Sequence, residues 1–344
     1  MHDATVVSPS VGRVESLTYA RAVNAALDRA LATWPAAFTY GEDLAKPGGV
    51  FGVTRGLQER HGASRVFDTP ISETAMLGAA VGAAMVGARP IVEIMWMDFT
   101  LVALDQIVNQ AANVRYVSAG AMSAPLTIRT QQGVLPGSCA QHSQNLEAFF
   151  AHVPGLRVGL PMTPQDAYDM LLAAVACDDP VLIIEHRGLY HGESVPVTVD
   201  GPIAPIGGAR RCRDGDAVTV LTWGASLPTV LAAADQLAAE GIDCDVLDAR
   251  WVAPMDWPAV YASVTRTRRL LIVHEANLTG GFGAEVAARV QEQCFGQLAA
   301  PVRRLATADL RMPAAPHLQA AAVPDVAAVV AAVRGLAPVV AAPA

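Results

Sequence analysis

Lysine is almost missing from this chain of 344 residues: the only one is Lys46, and Pro47 follows it. No Gly-Lys-Ser/Thr context surrounds it and nothing signals an apolar pocket, so a phosphate-loop lysine and a Schiff-base lysine are both nearly excluded. Cysteine is sparse too. Cys139, Cys177, Cys212, Cys244 and Cys294 lie far apart, are odd in number and form no CxxC pair, which excludes a disulfide framework and a zinc site and leaves reduced thiols. Positive charge is short, and the net charge of -8 argues against a nucleic-acid partner. The clusters Arg210, Arg211, Arg213 and Arg266, Arg268, Arg269 read as solvated loop edges. Long apolar runs are missing as well. Ala75 to Val86 is soon followed by Arg89, Pro90 and Glu93, short of the roughly 20 residues a membrane span needs, so no membrane partner is expected. Asp3 and Glu15 with no apolar stretch between them argue against a signal peptide. A cytoplasmic location is the expectation.

What the sequence does hold is apolar residues, 52% of the total with a mean hydropathy of +0.33, above the usual balance. A chain of this length forms about two domains and buries roughly three quarters of its unfolded surface. The apolar excess is assigned to subunit interfaces. Short apolar runs such as Pro90 to Trp96, Pro125 to Thr130 and Pro180 to His186 alternate with helical periodicity at Thr18 to Trp34, Ser72 to Val86 and Gln165 to Cys177. Such alternation predicts an α/β fold of two domains, each a mostly parallel sheet with helices on both faces. Residues 15–188 form the first and 209–335 the second, joined by a Gly- and Pro-rich linker, 189–208.

Two groups between Asp68 and His142 carry the candidate chemistry. Ser72 is placed to cap a helix, and Glu73 falls in its first turn, where the helix dipole favours a carboxylate. Dipole pairing alone would explain that position. Gly78 and Gly82 lie inside the same helix at a cost of roughly 1 kcal/mol each, which close approach of another helix or a ligand would offset. A long helix from Phe99 to Val117 follows, with Leu101, Leu104, Val108 and Ala111 on one face and the uncharged amides Gln106, Asn109, Gln110 and Asn113 on the other. That amide face suits contact with another chain or a polar cavity. His142 precedes Ser143, a fair cap for the next helix, so its imidazole is expected beside a helix N-terminus and neutral.

The segments DTPISE (68–73), VGAAMVGARPIVEIM (81–95), DQIVNQAANVRY (105–116), PLTIR (125–129), QHSQNLEAFFAHVPGLRV (141–158) and HEANLTGGFGAE (274–285) together resemble the beta subunit of the thiamine-diphosphate-dependent decarboxylating component of 2-oxo acid dehydrogenase complexes. That subunit belongs to the transketolase-like superfamily. The resemblance runs from about Glu15 to Val333 and implies a pyrimidine-binding domain followed by a transketolase C-terminal domain. It implies that Glu73 hydrogen-bonds the aminopyrimidine ring nitrogen. A carboxylate sharing that proton favours the imino tautomer, whose exocyclic nitrogen can take the thiazolium proton. By the same resemblance Phe99 stacks on the pyrimidine, Glu42 lines that region, and His142 acts in decarboxylation or in acyl transfer to a lipoyl group. Ala124, Leu126 and Thr127, with Cys177 and Asp179, resemble a site for a monovalent cation, potassium, in some relatives.

One motif of the superfamily is missing: no Gly-Asp-Gly with a suitably spaced Asn is present to hold magnesium and diphosphate, and Arg213-Asp214-Gly215-Asp216 only approaches it. The resemblance therefore implies an alpha subunit that supplies the magnesium half of the site, in an alpha2beta2 heterotetramer serving a lipoyl-bearing acyltransferase core. An acetoin dehydrogenase beta subunit and a non-catalytic scaffold subunit are the alternatives, and the choice among pyruvate, branched-chain substrates and acetoin is open. Rival chemistries fit less well. Gly281-Phe282-Gly283 lacks the third glycine of a dinucleotide fingerprint, Val286 standing in its place, and Gly224-Ala225-Ser226 is followed by Pro228 where a nucleophile elbow needs glycine.

Overall fold

The computed structural model describes residues 12–337. Asp3 and most of the tail after Leu336 lie outside them. The first half reads β1 (Arg13–Leu17), α1 (Tyr19–Thr33), β2 (Ala37–Gly41), α2 (Leu57–His61), β3 (Val66–Asp68), α3 (Glu73–Met85), β4 (Arg89–Ile94), α4 (Val114–Val117), β5 (Thr127–Gln132), α5 (Glu147–Ala151), β6 (Arg157–Gly159), α6 (Pro164–Ala176), β7 (Val181–His186) and β8 (Val195–Val199). The second half reads β9 (Arg210–Arg213), β10 (Val218–Thr222), α7 (Ser226–Ala238), β11 (Cys244–Asp248), β12 (Trp251–Ala253), α8 (Trp257–Thr267), β13 (Leu270–Asn277), α9 (Gly283–Cys294), β14 (Arg303–Thr307), α10 (Pro316–Ala322) and α11 (Val326–Arg334).

The apolar runs become central strands because both of their faces are covered. In β4, Ile91 joins the core under α1 and α6, while Val92 and Ile94 join the core under α3. The first sheet runs β12-β6-β7-β5-β4-β2-β3 and is parallel except for β12, which comes from the second half and pairs antiparallel with β6. The second sheet runs β14-β13-β10-β11-β9 and is parallel except for the edge strand β9. Helices α7 and α11 cover one of its faces, and Val260, Val264, Val286 and Val290 of α8 and α9 cover the other. That last layer is continuous with the core under α3, so one apolar cluster runs through both halves. Residues 189–208 include β8, which returns to pair antiparallel with β1.

The arginine clusters are solvated in part, with Arg211, Arg266 and Arg268 exposed, but three of their members also reach buried carboxylates. Arg210 bridges Asp166 of α6 at 2.8 Å and Asp248 of β11 at 3.0 Å, and Arg211 and Arg266 converge on buried Asp245 at 3.0 and 2.5 Å. Buried carboxylates need such partners, which the edge strand β9 supplies through Arg210 and Arg211. The stretch Phe99–Val117 also departs from a single α-helix. It winds as a 3-10 turn over Met97–Leu101, a π turn over Gln106–Gln110, a second 3-10 turn and then α4. The amides explain this: Asn113 donates to the Val108 and Asn109 carbonyls and Asn109 to Asp105, so side chains compete with the backbone ladder.

Contrary to the expectation of no such window, Pro316–Arg334 reaches the length and apolarity of a membrane span. It is broken into α10 and α11 at Val323, Pro324 and Asp325, Asp325 caps α11, and Val329, Val330 and Val333 are buried in the second core.

Candidate active site

Helix α3 is fixed at its start by two hydroxyls. Tyr40 of β2 donates to the Met76 carbonyl at 2.7 Å, and Thr74 donates to the Val102 carbonyl at 2.7 Å. These bonds set the first turn, where Glu73 stands only 7% exposed. Ser72 occupies the cap position without capping, since its hydroxyl donates instead to the Pro70 carbonyl at 3.1 Å. The Glu73 carboxylate therefore has the helix N-terminus largely to itself.

Glu42 arrives from the end of β2. Gly41 before it lies so close to β4 that a Cβ would stand 2.9 Å from the Glu93 carbonyl oxygen. Burial, and then the carboxylates of Glu73, Asp43 and Glu93, push the Glu42 carboxyl above its ordinary range. Two carboxylates expected from distant segments are thus brought together. A group that hydrogen-bonds one of them through its proton is favoured at such a place.

The other candidate residues stand in an aromatic cluster. Trp96 lies edge-on to Phe99 at 5.6 Å and to His142 at 4.7 Å, and Phe99 lies edge-on to His142 at 5.6 Å between ring centres. The indole Nε1 of Trp96 and one carboxylate oxygen of Asp98 are buried without a hydrogen-bond partner among the described residues. A cleft of about 530 Å³ opens between Asp98, Phe99, His142, Gln144 and Arg311. His142 does not stand beside a helix N-terminus, because no helix begins at Ser143: its hydroxyl pairs with Ser138 at 2.6 Å, and α5 starts only at Glu147. The His142 backbone is held by Arg187, which donates to its carbonyl, and the next residue but one by Asp98, which accepts from the Gln144 side chain at 2.9 Å.

Trp96, Asp98 and Arg187 are the site residues that sequence reasoning missed. Gly281 and Gly283, read against a dinucleotide site, are explained by the buried His274 ring, which a Cβ at either glycine would approach to 2.7 Å.

Of the residues named for a cation, Cys177 and Asp179 have oxygens that accept from guanidinium groups. Asp179 receives Arg115 at 2.5 Å and Arg157 at 2.8 Å, and the Cys177 carbonyl receives Arg89 at 3.1 Å. The Leu126 carbonyl accepts from Val181 N–H within the sheet.

Residues 15–193 match the transketolase pyrimidine binding domain, and residues 207–329 match the transketolase C-terminal domain. The mitochondrial pyruvate dehydrogenase E1 component subunit beta-2 of Oryza sativa subsp. japonica is 40% identical over 335 residues, covering 95% of this chain and 89% of that protein. The 2-oxoisovalerate dehydrogenase subunit beta of Bacillus subtilis is 40% identical over 304 residues, covering 88% of this chain and 93% of its own length. The chain belongs to the transketolase-like family, among the E1 beta subunits of 2-oxo acid dehydrogenases.

Other relatives in this E1 beta group agree. The pyruvate dehydrogenase E1 component subunit beta of Leifsonia xyli subsp. xyli is 41% identical over 325 residues, covering 94% of this chain and 96% of its own. A solved structure described as a split gene transketolase, inactive beta4 tetramer, superposes with a TM-score of 0.75 at 22% identity, covering 94% of this chain and 98% of that one. That likeness speaks to the fold alone.

Proposed function

We propose that this chain is the beta half of a 2-oxo acid dehydrogenase, which uses thiamine diphosphate to decarboxylate a pyruvate-like or branched-chain 2-oxo acid oxidatively and passes the acyl group to a lipoyl arm. The observation that carries the reading is the buried Glu73 carboxylate at the head of α3, with Glu42 beside it, and the aromatic cluster that includes His142. Bound thiamine diphosphate supplies the nucleophilic carbon and the electron sink. Glu73 would hold a proton at the pyrimidine ring nitrogen, and Glu42 beside it has its carboxyl pushed above the ordinary range by burial and by the Glu73 charge. Phe99 covers a ring face, Trp96 shields the pocket from water, and His142 donates or accepts the proton at the substrate side.

In this reading residues 15–188 bind the pyrimidine end, 209–335 form the second domain, and an alpha chain holds diphosphate and magnesium, for which the sequence lacks the Gly-Asp-Gly and Asn pattern. The assembly is an alpha2beta2 tetramer docked on a lipoyl-bearing acyltransferase core. Apolar side chains exposed at the Glu73 end of α3 support a partner there: Ile71 is 80% exposed, and Val102, whose carbonyl accepts from Thr74, is 58% exposed. No potassium is assigned to the Asp179 turn. The free cysteines suit a reducing compartment, the cytoplasm.

The deciding measurement is decarboxylation by the chain alone and co-expressed with an alpha chain, with thiamine diphosphate, magnesium and an artificial electron acceptor. Pyruvate, 3-methyl-2-oxobutanoate, 4-methyl-2-oxopentanoate and acetoin are offered in turn. Activity only in the complex is expected, and Glu73→Gln should keep the assembly while losing about 10²–10⁴-fold in turnover. A Glu73→Gln complex as active as the parent would instead mark this chain as a scaffold.

A further inference from the structure

The loop that carries His142 has no regular structure between Gly133 and Asn145, yet side chains from several elements hold its backbone. Arg187 donates to the carbonyls of both Gly133 and His142. From the second half, Gln319 donates to the Leu135 carbonyl at 3.0 Å and Arg311 to the Gln144 side chain at 3.0 Å. The tie with most consequences is Glu275, on β13. One of its oxygens accepts the Val134 N–H at 3.0 Å, and the other meets His186 Nε2, at the end of β7, at 3.0 Å.

The tautomer of His186 follows from its other nitrogen. Gly188 N–H donates to Nδ1 at 3.1 Å, so Nδ1 carries no proton, and Nε2–H donates to Glu275. The same ring fills the space beside Gly133, where φ is +101° and a Cβ would stand 1.8 Å from Nε2. Glu275 thus fixes both the second amide after the loop leaves β5 and the ring over which the loop folds. Glu275 lines a neighbouring cleft of about 310 Å³ with Ser143 and Asn145, and is not among the residues around the cleft at His142.

We propose that Glu275 is a positioning residue through which the second half of the chain sets the place of His142. The proposal rests on the reading that His142 works at the reaction site. Glutamine is a sharp probe of it. An amide has a single acceptor oxygen, so at position 275 it either abandons Val134 or turns its NH2 toward His186 Nε2–H, donor against donor. His186 cannot change tautomer without losing the Gly188 bond.

The experiment uses the co-expressed complex with thiamine diphosphate and magnesium, in four forms: parent, Glu275→Gln, His142→Ala, and both together. Amide hydrogen exchange is followed over residues 133–145, and kcat and KM are measured with an artificial acceptor and with a lipoyl acceptor. Glu275→Gln should speed exchange in the loop and lower kcat at least tenfold, with KM for the 2-oxo acid within twofold, and the double variant should be no slower than His142→Ala. Multiplying effects in the double variant, or unchanged exchange, would overturn the proposal. Full activity in His142→Ala would sink the role of His142 and with it the catalytic part of the proposal, while the exchange data would still judge the clamp. Should Glu275→Gln fail to assemble, His186→Asn, which leaves Glu275 in place, is held to the same criteria.

Discussion

A single buried ring illustrates how far residue chemistry can be read here. His274 lies stacked on Trp223 with ring centres 5.1 Å apart, and neither of its nitrogens makes a well-formed hydrogen bond among the described residues, the Ala276 backbone being only a weak neighbour. Burial, the largest cause, and Arg304 outweigh a backbone hydrogen bond at Ala276 and pull its pKa from 6.5 down to about 4. The folded state therefore resists a proton that the unfolded chain accepts. The sign follows: this contribution is fully present above pH 6.5 and is lost as pH falls from 6.5 towards 4, to a total of about 3 kcal/mol. Replacing His274 by Phe should remove that part of the acid slope. Urea unfolding of parent and variant at intervals from pH 7.5 to 4 checks it, and parallel slopes would refute it. In the sequence His274 was visible only as part of a family segment, because burial is a property of everything packed round a residue. Glu73 was more legible, its helix N-terminal position being set by its immediate neighbours.

At the scale of the element, α3 carries an outward face of small residues, Ala75, Ala79 and Gly82, ending at exposed Val86. Inside the chain, Gly78 is met by the Gln106 amide, whose oxygen would lie 3.3 Å from a Cβ, whereas nothing stands within 4 Å of one at Gly82. Gly82→Ala should therefore stabilise the isolated chain by up to about 1 kcal/mol through helix propensity. If a partner helix lies against that face, the same methyl group should weaken assembly with the alpha chain. Thermal unfolding of the lone chain and sedimentation of the complex give the two readings, and improved stability with unchanged association would remove α3 from the interface. Periodicity predicted this helix to within a residue at each end, as it did α1 and α6. It failed on Phe99–Val117, where hydrophobic spacing is helical but Asn109 and Asn113 use their amides on neighbouring groups and distort the ladder. It failed also on His142, because the cap expected at Ser143 depends on where Ser138 lies.

Across the whole molecule, the halves are joined by continuous apolar packing, by β12 and by a charged rivet. Arg210 stands between Asp166 and Asp248, which are 2% and 0% exposed, and Arg250 adds a contact to Asp166 at 3.4 Å. Asp248 is pushed up to about 7 by burial and by the Asp166 charge, against the pull of Arg210. Arg210→Ala would leave two buried carboxylates short of their partner and should cost about 3 kcal/mol or more, read from urea midpoints at pH 8. A change under about 0.5 kcal/mol would show the rivet to be dispensable.

The sequence by itself determined the alternation of strands and helices, the lack of a Gly-Asp-Gly motif with its spaced Asn, and the position of Glu73 at the start of a helix. All three depend on neighbours within a few turns of chain or on whole motifs. Only the tertiary structure decided that β12 crosses to the first sheet, that Arg210, Arg211 and Arg266 reach buried carboxylates, that Arg115 and Arg157 meet at Asp179, and that Glu275 holds the loop of His142. Each of those depends on side chains dozens to more than a hundred residues apart meeting at hydrogen-bond distance, and periodicity along the chain carries no record of which distant partner a charge or an amide will find.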